Sequence, residues 1–136
     1  FQQKKCRVYA VFGVSQTPMP MICMKGDQKA IYSLFTILLD NAIKYSDEKG
    51  MIFVTLEKKR NKIRFSVFNT TEYISKDQIT HLFDRFFRID DSRNSQTGGY
   101  GLGLSIAAAT AAAHKGTITA ETKDEKSLQI TVTFPI

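Results

Sequence analysis

The segment Gln28–Tyr45 limits what this chain can fold into more than any other. Its residues Ile31, Leu34, Phe35, Leu38, Leu39, Ala42 and Ile43 recur with the 3.6-residue period of an amphipathic helix. Asp27 stands where an N-cap is needed, and Ser46-Asp47-Glu48-Lys49-Gly50 supplies a turn at the far end. Such a helix holds only if its apolar stripe is covered, because helical stability in water comes mostly from packing.

The rest of the chain offers strands to cover it. Arg7–Val14 is apolar and β-branched, and Thr17-Pro18-Met19-Pro20 then imposes an extended loop before a short buried strand at Met21–Met24. Met51–Leu56 and Ile63–Phe68 alternate as the arms of a hairpin. Ser75 caps a second helix carrying Ile79, Leu82, Phe83, Phe86 and Phe87. The Ala-rich stretch from Leu102 to His114 is a third, stopped by Lys115-Gly116 with the glycine at C′. Thr117–Glu121 and Leu128–Phe134 close the chain as a second hairpin around the charged turn Thr122–Lys126. The expected fold is a two-layer α/β (α+β) sandwich, with three helices on one face of a mixed, mostly antiparallel sheet.

The 136 residues, 43% of them hydrophobic, suit a single domain spanning 1–136 and exclude a disordered chain. No apolar run approaches the roughly 20 residues of a membrane span, and no signal-peptide pattern is present, so the domain is expected to be soluble. A net charge of +6 invites a nucleic-acid reading. The distribution tempers it: residues 1–68 carry twelve Lys/Arg against five Asp/Glu, while residues 69–136 carry seven against eight. The densest run, Lys58-Lys59-Arg60-Asn61-Lys62, reads as a solvated hairpin tip. Cys6 and Cys23 lack CxxC spacing and read as reduced core thiols, a disulfide between them remaining open. His81 and His114 stand alone on helical segments, which argues against a metal site built on them.

Three segments carry the chemistry. On the first helix Asn41 and Lys44 fall toward one edge of the apolar stripe, with Tyr45 one turn beyond Asn41. This arrangement can offer a carbonyl to a metal ion and an ammonium to a phosphate, although capping and the helix dipole select the same residues. Four of the eight glycines fall between Gly98 and Gly103, leading into a helix, where backbone N–H groups can approach an anion. No Gly-Lys-Ser/Thr follows, so this is not a Walker A loop. Just before it, Phe83-Asp84-Arg85-Phe86-Phe87-Arg88 sets Arg85 and Arg88 three apart on one helical face, within reach of a phosphate or a partner.

These segments resemble a known family. Leu38-Leu39-Asp40-Asn41-Ala42-Ile43-Lys44-Tyr45-Ser46 resembles the N box of bacterial sensor histidine kinases, Phe83–Phe87 their F box and Gly99–Leu104 their G2 box, in the family's order and spacing. That family belongs to the GHKL ATPases with the Bergerat fold. The resemblance implies that Asn41 helps coordinate magnesium between the phosphates of ATP, that Lys44 faces a phosphate and that Tyr45 lines the nucleotide pocket. Gly99, Tyr100, Gly101, Leu102, Gly103 and Leu104 are then nucleotide-binding, at the hinge of an ATP lid spanning roughly Ile89–Gly101, and Arg85 and Arg88 lie near the triphosphate.

The G1 box departs from the family's Asp-x-Gly-x-Gly: the chain reads Asn69-Thr70-Thr71-Glu72-Tyr73. Asn69 stands where the aspartate accepts the adenine amino group. An amide carbonyl accepts the same bond without the charge, so a weaker adenine contact is expected. Ile37 occupies the place of a second N-box asparagine and of the water-activating glutamate of gyrase-like relatives, so hydrolysis of the gyrase kind is not expected.

The resemblance implies the catalytic, ATP- and Mg²⁺-binding domain of a two-component kinase, transferring the γ-phosphoryl group to a histidine. That histidine is expected on a separate dimerisation and phosphoacceptor domain of the same kinase, with a response regulator downstream and no direct nucleic-acid partner. The chain begins at Phe1, and the expectation is a cytoplasmic domain excised from a longer, membrane-anchored protein. The competing expectation is a non-enzymatic interaction module whose altered G1 box has lost nucleotide.

Overall fold

A computed structural model of the chain describes residues 7–13, 24–84 and 103–136. Strands β1 (Arg7–Gly13), β2 (Met51–Lys59), β3 (Lys62–Thr70), β4 (Thr117–Glu121) and β5 (Ser127–Pro135) form one sheet in the order β1-β2-β3-β5-β4. Among the described residues only the β1–β2 pairing is parallel. A parallel pair needs a crossover, and helix α1 (Gln28–Tyr45) lies between these two strands in sequence. Helices α2 (Lys76–Thr80) and α3 (Gly103–Ala113) complete the described elements.

On β2, β3, β4 and β5 every other residue turns toward the helices, as the two-residue strand period requires. Ile52 on β2, Phe65 and Val67 on β3, and Leu128, Ile130, Val132 and Phe134 on β5 form one core with Leu34 and Leu38 of α1 and Ala107 and Ala111 of α3. Phe35 of α1 stacks on Phe65 with ring centres 4.3 Å apart. Each fully buried Leu or Ile here contributes roughly 1.5–3 kcal/mol. The alanines of α3 let it settle directly against α1, since interhelical distance follows side-chain size. The two-layer sandwich read from the sequence is the fold observed.

Several elements depart from the sequence expectations. Of the strand expected at Met21–Met24, residues 21–23 lie outside the described residues and Met24 is not in a strand. The second helix ends at Thr80; Leu82 and Phe83 follow in turns closed by the bonds Leu82 N–H to Ile79 O and Asp84 N–H to His81 O. These i→i−3 bonds tighten the chain before a second turn of α-helix can form. Phe86 and Phe87 lie outside the described residues. The basic run is exposed as expected, but Lys58, Lys59 and Lys62 belong to the strands and only Arg60 and Asn61 make the turn.

The end of α3 also differs. Lys115, with φ of 60°, takes the left-handed C′ position, and Gly116 is C″. Gly116 N–H bonds Ala111 O and Lys115 N–H bonds Ala112 O, the paired closure of a Schellman motif. Glycine is needed at 116 for space: a Cβ there would stand 2.5 Å from Thr133 O and 2.8 Å from Phe134 Cδ1.

Candidate functional site

Asn41 is not at the rim of α1. It lies on the buried face in line with Leu34 and Leu38, at 9% exposure, because i, i+4 and i+7 share one side of a helix. Its Nδ2 has no hydrogen-bond partner among the described residues. A buried amide left unpaired costs about 1–3 kcal/mol, so such a group in a native fold asks for an explanation. Lys44 and Tyr45, in the last turn of the same helix, are half-buried.

Asn69 lies near the end of β3 at 1% exposure, between its register partners Ile52 and Leu128, and so on the helix-facing side. Its Nδ2 donates to Thr70 O at 3.0 Å. The same carbonyl accepts Asp47 N–H at 3.2 Å. The Thr70 hydroxyl donates to Asp47 Oδ1 at 2.6 Å and accepts Met51 N–H at 2.9 Å. The turn after α1 and the end of β3 are thereby tied together, which brings the N-box and G1 positions to one end of the sandwich. Gly50 is enclosed by this pair: a Cβ there would collide with both Asp47 Oδ1 and Thr70 Oγ1. Sequence reasoning missed Asp47 and the role of Thr70, whose only sequence signal was the altered G1 box.

The rest of the G1 segment is held by the β4–β5 turn. Thr71 N–H bonds Lys126 O at 2.9 Å and Ile74 N–H bonds Glu125 O at 2.8 Å. Tyr73, in place of a glycine, is 61% exposed, and its hydroxyl donates to Glu125 Oε2 at 3.1 Å. That bond and the adjacent carboxylate charge raise the phenol above its ordinary pKa. Asp124 accepts Lys126 N–H and Ser127 Oγ–H, and these bonds hold its carboxyl below the ordinary value.

Gly103 opens α3, and a Cβ on it would meet Ile37 Cγ2 at 3.5 Å, an ordinary contact. The start of α3 therefore sits one turn from Asn41 along α1. Leu104 is half-buried against the core. Asn41, Lys44, Tyr45, Asn69, Gly103 and Leu104 are placed by the structure; Arg85, Arg88, Gly99, Tyr100, Gly101, Leu102 and the expected lid lie outside the described residues. Among the described residues no cluster of His, Cys, Asp and Glu could hold a metal ion, and no helix is long and apolar enough to cross a membrane. A shallow depression lined by Phe53, Phe68, Glu121, Lys123, Ser127 and Gln129 includes none of the candidate residues.

Residues 26–136 match the family described as histidine kinase-, DNA gyrase B-, and HSP90-like ATPases. The chain belongs to that family. It is 38% identical over 119 residues to the sensor histidine kinase YkoH of Bacillus subtilis, covering 88% of this chain and 26% of that protein. It is 34% identical over 115 residues to the signal transduction histidine-protein kinase BaeS of Escherichia coli, covering 85% and 25%. The nucleotide-free catalytic domain of the histidine kinase ThkA has the same fold, with a TM-score of 0.77 at 25% identity over 96% of this chain and 79% of that one. The chain spans about a quarter of the length of these two curated relatives. These sensor-kinase relatives give no support to the non-enzymatic reading.

Proposed function

We propose that this chain is the catalytic domain that binds Mg-ATP and passes the γ-phosphoryl group to a histidine on a separate dimerisation and phosphoacceptor domain of the same kinase. One observation carries the reading: Asn41 is buried on α1 with Nδ2 unpartnered among the described residues. As it stands the carboxamide offers a donor to a phosphate oxygen; turned over, it offers Oδ1 to a cation that prefers oxygen ligands. The donor set therefore fits magnesium between phosphates. When bound, the ion would neutralise charge on the transferring group.

The chain's own contribution is positioning. Lys44 adds positive charge in the last turn of α1, Tyr45 lines the pocket, and Asn69 meets the adenine amino group from the end of β3. Gly103 and Leu104 open α3, whose N-terminal backbone suits an anion. Arg85, Arg88 and the glycines from Gly99 to Gly101, with Tyr100 and Leu102, complete the triphosphate side. Neither histidine suits the acceptor role. Neither is followed by the acidic residue of the family's acceptor motif, the chain reading His81-Leu82-Phe83 and His114-Lys115-Gly116, and His114 is engaged at both ring nitrogens, by Asp27 N–H and by Thr110 O. The partners are the phosphoacceptor domain and, downstream, a response regulator; the domain works on the cytoplasmic side of a longer, membrane-anchored protein.

Incubation with γ-labelled ATP, Mg²⁺ and an added phosphoacceptor domain tests this. Label should appear on the acceptor histidine and not on this chain, and Asn41→Ala should abolish it. Transfer that is undiminished in Asn41→Ala would contradict the assignment.

A further inference from the structure

Asparagine in place of aspartate creates a selectivity problem. A carboxylate only accepts hydrogen bonds, so it suits the adenine amino group and opposes the O6 acceptor of guanine. An asparagine can do either, because turning the carboxamide over exchanges its acceptor for a donor. Asn69 is not free to turn in this fold. Its neighbour Thr70 O can only accept, so the end of the carboxamide 3.0 Å away must be Nδ2. Oδ1 is thereby directed away from that carbonyl. Thr70 O is itself held by Asp47 N–H at 3.2 Å, while the Thr70 hydroxyl returns a bond to Asp47 Oδ1 at 2.6 Å. Gly50 packs against both residues with no space for a side chain.

We propose that Asp47 and Thr70 are a positioning pair that fixes the Asn69 carboxamide with Oδ1 as its presented acceptor, so that the site selects adenine over guanine nucleotides. The inference rests on the reading of this site as an ATP site. Anchoring fixes which end of the neutral amide is the acceptor, so that Oδ1 takes the part of the aspartate oxygen it replaces.

The test measures the affinities of this chain for Mg-ATP and Mg-GTP. The parent should prefer ATP. Thr70→Val and Asp47→Ala should each narrow the ATP:GTP ratio by about fivefold, the scale of one neutral hydrogen bond, while Thr70→Ser should preserve it. In the Asn69→Asp background Thr70→Val should leave the ratio unmoved, because a carboxylate has no donor to turn outward. Thermal melts identify the folded variants; Asp47, half-buried in a turn, carries the test if Thr70→Val does not fold. A ratio unchanged in the folded variants overturns the inference. So does equal narrowing in the Asn69 and Asn69→Asp backgrounds, which would mark a general loosening. If the parent binds no ATP, the underlying reading fails; if it binds ATP but the ratio does not respond, only the positioning pair fails.

Discussion

The His114 imidazole links the end of α3 to the start of α1, accepting the backbone N–H of Asp27 on Nε2 at 3.0 Å. Its Nδ1 faces Thr110 O at 2.8 Å, and because that carbonyl only accepts, the proton belongs on Nδ1. The ring also meets Phe134 edge-on, with centres 6.1 Å apart. His114→Ala should lower the unfolding free energy by about 1–2 kcal/mol in urea titrations. Asn41 lies at the other end of α1, so ATP affinity of the folded protein should hold. A loss of affinity without loss of stability would contradict this role.

Asn41 should show opposite effects on stability and binding. Replacing the unpaired buried amide with an apolar side chain of similar size removes its desolvation cost, so Asn41→Leu should stabilise the apo fold by about 1 kcal/mol. Nucleotide affinity should fall at least about tenfold, the weight of a bond to a charged group. Denaturant midpoints and calorimetry on the same variant check both signs.

The close of α3 separates space from backbone conformation. Gly116→Ala should cost about 1–3 kcal/mol through overpacking against Thr133 O and Phe134. Lys115→Gly, at a φ of 60°, should gain up to about 1 kcal/mol. Thermal melts that rank the two the other way would place the left-handed residue at 116.

Asp124 sets an acid dependence. Its folded carboxyl lies below the ordinary value because Lys126 N–H and Ser127 Oγ–H favour the carboxylate. The stability it contributes is present above the unfolded pKa and disappears as pH falls through the lower folded value. Carboxyl-carbon NMR should show Asp124 titrating below a free aspartate, and Asp124→Asn should flatten the acid limb of stability against pH. Titration at or above the ordinary value would contradict the bonding at this turn.

The parts of the fold that obey local rules were legible in the sequence. Helix α1 announces itself by periodicity and by Asp27, whose Oδ1 does accept from Lys29 N–H and Ala30 N–H. Both hairpins are visible in their alternation and turns. What was not legible depends on residues distant in sequence. A helical wheel puts Asn41 at the rim because it carries no information on where the sheet lies. The local sequence puts Gly116 at C′ because nothing local shows that Thr133 and Phe134 crowd it. The bond between Asp47 and Thr70 needs α1 to bring position 47 beside the end of β3, so no reading of either segment alone contains it. The N-box residues were found by motif, whereas the orientation of Asn69 could be found only in the structure.

Calorimetric titration of the chain with Mg-ATP, alongside Asn41→Ala, decides whether the buried Asn41 carboxamide belongs to a nucleotide site. Saturable binding at one site, abolished by Asn41→Ala, is expected. No binding at millimolar Mg-ATP, or equal binding by the two proteins, would contradict it.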